Sequence, residues 1–224
     1  MKLYMHPASA PSRAVMLFAA QENIPLQTHV VDLMTGAQHA PEYGKLNPNR
    51  LVPVLDDDGF VLTESTAILR YLAGKSGSDM YPAGLMERAR VDEALAWFNG
   101  NFYRDYGYNL VYAQLFPHHA RRSDEGTKAT VSWGRQRSRH WLSLLDEHLI
   151  GPQKDFLCLD RLTIADCFGA SLVTLGEAIQ NDLSAYPNIS RWIANMKALP
   201  GWEPVNAGFN GMVESLKEQS FIAA

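Results

Sequence analysis

The sequence predicts an α/β plus all-α architecture: an N-terminal domain of order βαβ–ββα, then a C-terminal domain made only of helices. Three observations carry this. Strand-like and helix-like runs alternate from Met1 to about Lys75, and Asp57-Asp58-Gly59 splits two short apolar runs as a hairpin turn does. Beyond Tyr81 there is no hairpin signal, and apolar residues recur at helical spacing. The small-residue stretch KSGSDMYP (75–82) marks the boundary. The expected domains are residues 1–76 and 85–224, joined by a linker at 77–84.

Each element has its own signal. Lys2–Met5 reads as a short buried strand, followed by a helix over Arg13–Gln21 and a strand at Gln27–Val31. The two strands would pair in parallel through a right-handed crossover. Gly36–Lys45 reads as a polar, irregular connection. Val52–Asp56 and Phe60–Thr63 form the hairpin, and Ser65–Gly74 is a helix with Ile68, Leu69 and Leu72 on one face. In the second domain the pattern predicts helices over Leu85–Phe102, continued by Tyr103–Phe116 after Gly100, and over Asp124–Leu149, stopped by Gly151-Pro152. Thr163–Ile179 is apolar nearly all round and so belongs at the centre. Its start, Thr163-Ile-Ala-Asp166, is a capping-box pattern. Asn188–Leu199 is a further helix, closed by Pro200-Gly201.

Composition narrows the function classes. With 46% hydrophobic and 20% charged residues the chain reads as an ordinary globular protein. A net charge of −4 argues against general nucleic-acid binding. Cys158 and Cys167 have no CxxC or metal-ligand spacing, which points to a reducing cytoplasm and no metal. His6, Pro7, Pro11 and Arg13 interrupt the N-terminal run that would otherwise mimic a secretory signal. No segment approaches the ~20 apolar residues of a membrane span.

Three segments carry chemistry. The first is the opening, MKLYMHPASAPSRAV, a small-residue loop between a strand and a helix start. A helix N-terminus offers unpaired N–H groups and partial positive charge, so a thiolate or other anion is stabilised there. Ser9 or Ser12 can add a hydroxyl donor, or Ser12 can simply cap the helix. The second is Asn47–Leu55 (NPNRLVPVL), where Pro53 cannot join a ladder and suits a strand's first residue. A cis Val52–Pro53 bond would present the Val52 backbone to an extended peptide. The third is Leu62-Thr-Glu-Ser65, where Ser65 either caps a helix or leaves N–H groups for a ligand carboxylate, with Glu64 beside it for an ammonium. An acid and an anion site side by side suit an α-amino-acid head group.

Taken together, these segments resemble the cytosolic glutathione transferase family over essentially the whole chain. ASAPSRAV resembles the SxPxR signature of its theta-like and delta-like members, NPNRLVPVL the cis-proline segment, LTESTAILRYL the glutamate–serine helix start, and LTIADC the capping box of the central helix. The resemblance implies a thioredoxin-like N-terminal domain that binds glutathione and an all-helical domain that forms the electrophile site. It implies Ser9 as the hydroxyl that stabilises the glutathione thiolate, leaving Ser12 as the helix cap. Val52, with cis Pro53, would pair with the cysteinyl unit, and Glu64 and Ser65 would bind the γ-glutamyl head. His39 would lie near the glycyl carboxylate, with Arg50 assisting. No cysteine lies at positions 6–12, so cysteine-type thiol transfer is not supported, and Tyr4 reads as packing.

For the electrophile side the aromatic segment Phe102–Asn109 supplies Tyr103 and Tyr106, joined by Phe116 and Phe209. Asp105 would approach the partner's glutathione in a homodimer of the family type. The arginines at 121, 122, 135, 137 and 139 read as solvated helix faces. The expected activity is conjugation of glutathione to small hydrophobic electrophiles, with possible peroxidase side activity. A specialised dehalogenase or isomerase, and a non-catalytic interaction protein of the same fold, are the alternatives.

Overall fold

The computed structural model describes all residues from Met1 to Ala224. Four strands, β1 (Lys2–Met5), β2 (Gln27–Val30), β3 (Val54–Asp57) and β4 (Phe60–Leu62), form one sheet in the order β2-β1-β3-β4. β2 runs parallel to β1, while β1–β3 and β3–β4 are antiparallel, with Leu3 opposite Leu55 and Leu55 opposite Leu62. Helix α1 (Ala10–Gln21) makes the β1–β2 crossover, and α3 (Ser65–Ser76) follows β4. At the hairpin Asp58 and Gly59 both have positive φ, 53° and 94°. A two-residue turn that matches strand twist demands this, and glycine supplies it at no steric cost.

The connection between β2 and β3 departs from the expectation. The stretch read as irregular contains a 3₁₀ turn, Ala37–His39, and a short helix, α2 (Pro41–Leu46). Its Pro41 presets the first helical φ, and Tyr43 packs beneath it with Val31 and Val54 in a small separate core. Too few apolar residues mark this helix for periodicity to reveal it.

The helical half opens with α4 (Leu85–Trp97). Its backbone runs on without a break through a π-helical stretch, Phe98–Tyr112, into a last turn, α5 (Ala113–Leu115). Helix α6 (Asp124–Leu144), extended by a π segment at Leu145–Ile150, packs along it and stops at Gly151, whose φ is 66°. Helix α7 (Ile164–Val173) is buried at every residue and continues as a 3₁₀ segment, Thr174–Ile179. Helices α8 (Pro187–Lys197) and α9 (Trp202–Ser215) complete the chain. Sequence periodicity missed α9, because Pro204 and Gly208 obscure it. No helix is long and apolar enough to cross a membrane.

One contiguous core joins the halves, running from Leu3 and Phe18 through Phe168 to Phe209. Two devices hold it. The first is the capping box: the Asp166 carboxylate accepts from the Thr163 amide (2.8 Å) and hydroxyl (2.7 Å), the Leu157 amide (2.8 Å) and Trp192 Nε1 (3.0 Å). Burial pushes its pKa up, and the four hydrogen bonds oppose that rise. Asp166→Ala leaves these buried donors unpaired, so about 3 kcal/mol of stability should be lost, read as a lower denaturation midpoint. A loss below about 1 kcal/mol would show that the cap is dispensable.

The second device is Arg13, fully buried on α1. Its guanidinium donates to Thr174 Oγ1 (3.3 Å), Asn206 Oδ1 (2.5 Å) and the Ser171 carbonyl (2.8 Å), and lies 3.8 Å over the Phe209 ring. No carboxylate pairs with it, and its Nε has no partner. Burial brings its pKa down to about 10, so it is still cationic at neutral pH.

Candidate active site

A cavity of about 440 Å³ lies between the β1–α1 loop, the segments before β3 and α3, and the π-helical stretch. Ser9, Arg50, Val52, Pro53, Glu64, Ser65, Tyr103 and Phe116 line it. Sequence reasoning named all eight.

Ser9 is the N-cap of α1, with extended backbone (φ −71°, ψ 120°), and its Oγ accepts the Ser12 amide at 3.4 Å. Because the oxygen accepts that bond, its own O–H is free to donate into the cavity. Ser12 does not cap the helix, contrary to the sequence reading. It lies inside the first turn, fully buried, and its Oγ accepts the His6 amide at 3.5 Å. Pro11 fixes the first-turn φ, which lets the helix start at Ala10 rather than Arg13. His6 also lines the cavity. Its Nδ1 accepts the Ala8 amide (3.2 Å), so the neutral ring carries its proton on Nε2, and burial lowers its pKa.

The Val52–Pro53 bond is cis. Leu51 before it is anchored through its carbonyl, which accepts from Tyr43 Oη (2.7 Å) and Asn47 Nδ2 (2.8 Å). The Val52 amide and carbonyl take no hydrogen bond within the chain.

At the start of α3 it is Glu64, not Ser65, that holds the N-cap position, with no side-chain cap. Its φ of 64° with ψ of 108° is a sparsely populated conformation for a non-glycine residue, a strain of order 1–3 kcal/mol. Ser65 is already the first helical residue. The uncapped end therefore leaves the Ser65 and Thr66 amides without acceptors within the chain, beside a cavity that Glu64 and Ser65 line.

Arg50 takes a left-handed backbone (φ 57°), and its Nη1 donates to the carbonyls of Gln38, His39 and Ala40, clamping the 3₁₀ turn. His39 itself is exposed and does not line the cavity; its neighbour Gln38 does.

Tyr103 and Phe116 reach the cavity, but Tyr106, Phe209 and Asp105 do not. Tyr106 is core: its hydroxyl donates to the Val173 carbonyl (3.2 Å) and accepts from Asn181 (3.3 Å). Phe209 lies beneath Arg13. The Asp105 carboxylate is 1% exposed and turned inward, held by Arg104 (3.0 Å), Trp141 Nε1 (2.8 Å) and Asn109 (3.2 Å), with Arg137 at 3.6 Å. It has no face left for a partner subunit. Burial pushes its pKa up, but the bonds from Arg104 and Trp141 outweigh that and hold it below the carboxylate range. Arg137, stacked on Trp141, thereby departs from the solvated face read for its run.

For the tyrosines the cause is the backbone. The π-helical stretch brings residues five apart to one face, so Tyr108, not Tyr106, joins Tyr103 (ring centroids 4.9 Å apart). Tyr112 closes the row, its hydroxyl 3.0 Å from that of Tyr103. Gly107 makes the row possible, since a Cβ there would sit 2.3 Å from Tyr103 Cδ2. His118 and His119, on the turn after α5, complete this wall. Tyr108, Tyr112 and both histidines were missed, because an α-helical period was assumed and the turn carries no motif.

Two family models match the chain: glutathione S-transferase, N-terminal domain, over residues 8–75, and glutathione S-transferase, C-terminal domain, over residues 109–200. The chain belongs to the glutathione S-transferase family. It is similar to glutathione S-transferase D7 of Drosophila melanogaster, 32% identical with 90% of this chain and 86% of the relative covered. It is also similar to glutathione S-transferase theta-2 of Mus musculus, 34% identical with 91% and 83% covered. Among solved structures, a delta-class glutathione transferase of Nilaparvata lugens matches with TM-score 0.80 at 35% identity, covering 96% of this chain and 98% of that one. Human glutathione transferase theta-2, solved in complex with glutathione, matches with TM-score 0.83 at 26% identity, covering 100% and 93%. The transferase fold thus extends over both halves, and the cavity lies where they meet. No cluster of three or more metal-ligating side chains occurs in this transferase.

Proposed function

We propose that the chain conjugates reduced glutathione to small hydrophobic electrophiles, with the Ser9 hydroxyl holding the glutathione thiolate. The observation that carries this is the convergence on one cavity of a free-donor serine at a helix N-terminus, an unpaired Val52 backbone and the uncapped Glu64–Ser65 helix start. In this reading residues 1–76 bind glutathione, 77–84 link, and 85–224 supply the electrophile wall. The γ-glutamyl carboxylate takes the Ser65 and Thr66 amides and its ammonium takes Glu64, while the cysteinyl unit pairs with Val52. Arg50 acts by shaping the Gln38–Ala40 turn, and His39 reaches the glycyl end only from outside the cavity.

The chemistry needs no base that stays in the site. A free thiol has a pKa near ~8.5, so the site must favour the thiolate and let its proton pass to solvent. The sulfur then forms a bond to the electrophilic carbon, and the leaving group departs with its electron pair. Peroxidase or dehalogenase side activity would use the same thiolate, and a cytoplasmic homodimer is the expected form of the enzyme. Calorimetry against glutathione tests the reading. Binding in the micromolar-to-millimolar range typical of enzyme substrates is expected, weakened at least tenfold in Glu64→Ala. Absence of binding by the wild type would overturn the enzyme reading in favour of an interaction module.

A further inference from the structure

The protein is acidic, with a net charge of −4, yet the cavity lining is not. Glu64 is its sole carboxylate, against Arg50, Arg104, His6, His118 and His119. The two arginines and His6 are already engaged. Arg50 donates to backbone carbonyls and Arg104 to Asp105, while His6, a neutral ring, accepts the Ala8 amide through Nδ1. His118 and His119 differ: both line the cavity, and neither imidazole has a hydrogen-bond partner or a carboxylate within the chain. Both are held flat by aromatic neighbours. His119 packs on Tyr112 (5.3 Å, 32° between planes), His118 on Phe116 (5.7 Å, 22°), and the two imidazoles lie 4.4 Å apart.

Resting on the glutathione reading above, we propose that the Pro117–His119 turn recognises an acidic substituent on the second substrate. The enzyme would then prefer planar aryl electrophiles carrying a carboxylate over neutral ones of the same shape. Tyr103, Tyr108, Tyr112 and Phe116 offer the aromatic faces for the ring. The two imidazoles offer charge-assisted N–H donors for the carboxylate. The groups that face this pair are the Tyr108 and Tyr112 rings from the π-helical stretch, Phe116 from the end of α5, and Arg121 ahead of α6. Arg121 is bound to Thr130 and Asn109 and has no acidic partner. Burial, His118 and Arg121 all lower the pKa of His119. A bound carboxylate opposes that, so the preference should grow as the pH falls.

Chlorodinitrobenzene and its carboxylate-bearing analogue, chlorodinitrobenzoate, test this directly. With either, the thiolate sulfur bonds to the ring carbon carrying chlorine, the electron pair passes into the ring and nitro groups, and chloride leaves with its pair. No proton moves at the ring, and the lower thiolate fraction at acid pH slows both substrates alike. The ratio of their KM values is therefore the readout. In the wild type the KM for the benzoate should be about five- to tenfold the lower at pH 6, with the gap narrowing by about pH 7.5. In the variant His118→Gln/His119→Gln the ratio should fall to near one at every pH. Competitive inhibition by unreactive dinitrobenzoate against dinitrobenzene gives the same comparison without turnover. Equal KM values in the wild type, or a ratio that survives the double substitution, would overturn the inference while conjugation of the neutral substrate left the glutathione reading intact. Absence of conjugation with both would overturn the two together.

Discussion

Ser9→Ala is expected to raise the pKa of bound glutathione by about 1–2 units and to cut kcat/KM by roughly 10- to 100-fold at neutral pH. The magnitude follows from one charge-assisted hydrogen bond to a thiolate, about 1.5–3 kcal/mol. Its pH dependence is distinctive. Below the wild-type thiol pKa both enzymes gain thiolate in proportion with rising pH, so the deficit is full there. It closes as the pH rises past the variant's pKa, because glutathione is then ionised without help. Ser9 is also the α1 N-cap, so alanine costs about 1 kcal/mol of stability as well. Ser9→Asp separates the two roles: the carboxylate keeps the cap but repels the thiolate. It should be folded and at least as impaired as the alanine variant. Ultraviolet titration of the bound thiolate decides the matter, and an unchanged thiol pKa in Ser9→Ala would remove Ser9 from the mechanism. Ser12 is no substitute, since it is buried against the His6 amide.

The largest stability effect is expected at Arg13. Truncation to alanine opens a cavity at the meeting of α1, α7 and α9 and removes the donor to Asn206 Oδ1, at a cost of about 3–5 kcal/mol. For a chain of this length that is a fall in Tm of about 10 °C. Arg13→Met fills most of the volume but leaves Asn206 unpaired, so it should lie in between. Adding Asn206→Leu to Arg13→Met should recover about 1–2 kcal/mol, because buried polar sets replaced by apolar side chains of similar size often lose little. Thermal and denaturant unfolding of the four proteins tests the cycle. If Arg13→Ala unfolds within 2–3 °C of the wild type, worth about 1 kcal/mol, the guanidinium is not what joins the halves.

What was legible in the sequence was whatever is coded locally. The β1 boundaries, the Asp58-Gly59 turn, the Thr163–Asp166 capping box and the wholly buried α7 each rest on a few adjacent residues whose backbone preferences agree. The cavity residues at the ends of elements were legible for the same reason. Ser9, Val52, Pro53, Glu64 and Ser65 sit at strand and helix ends, and ends carry turn and capping signals. Even there the division of labour between Ser9 and Ser12 was not, because Pro11 in the first turn moved the helix start upstream.

The helical wall of the cavity was set by tertiary structure. Tyr106 and Tyr108 are two residues apart in one aromatic segment, and composition cannot say which faces the cavity. Packing against α6 accompanies a π-helical path, with Gly107 clearing space for Tyr103, and that path turned Tyr106 into the core and Tyr108 outward. Asp105 was drawn inward by Trp141 and Arg137, more than thirty positions away. Arg13 looks in sequence like a signature residue of the opening loop, and only its distant partners Ser171, Thr174 and Asn206 make it a clamp. The sequence by itself determined the βαβ–ββα plus helical order and the ends of elements where a thiolate and an amino-acid head group can be held. Contacts between residues far apart in the chain decided which face of a long helix lines the cavity, since helix period and side-chain burial answer to packing and not to local preference.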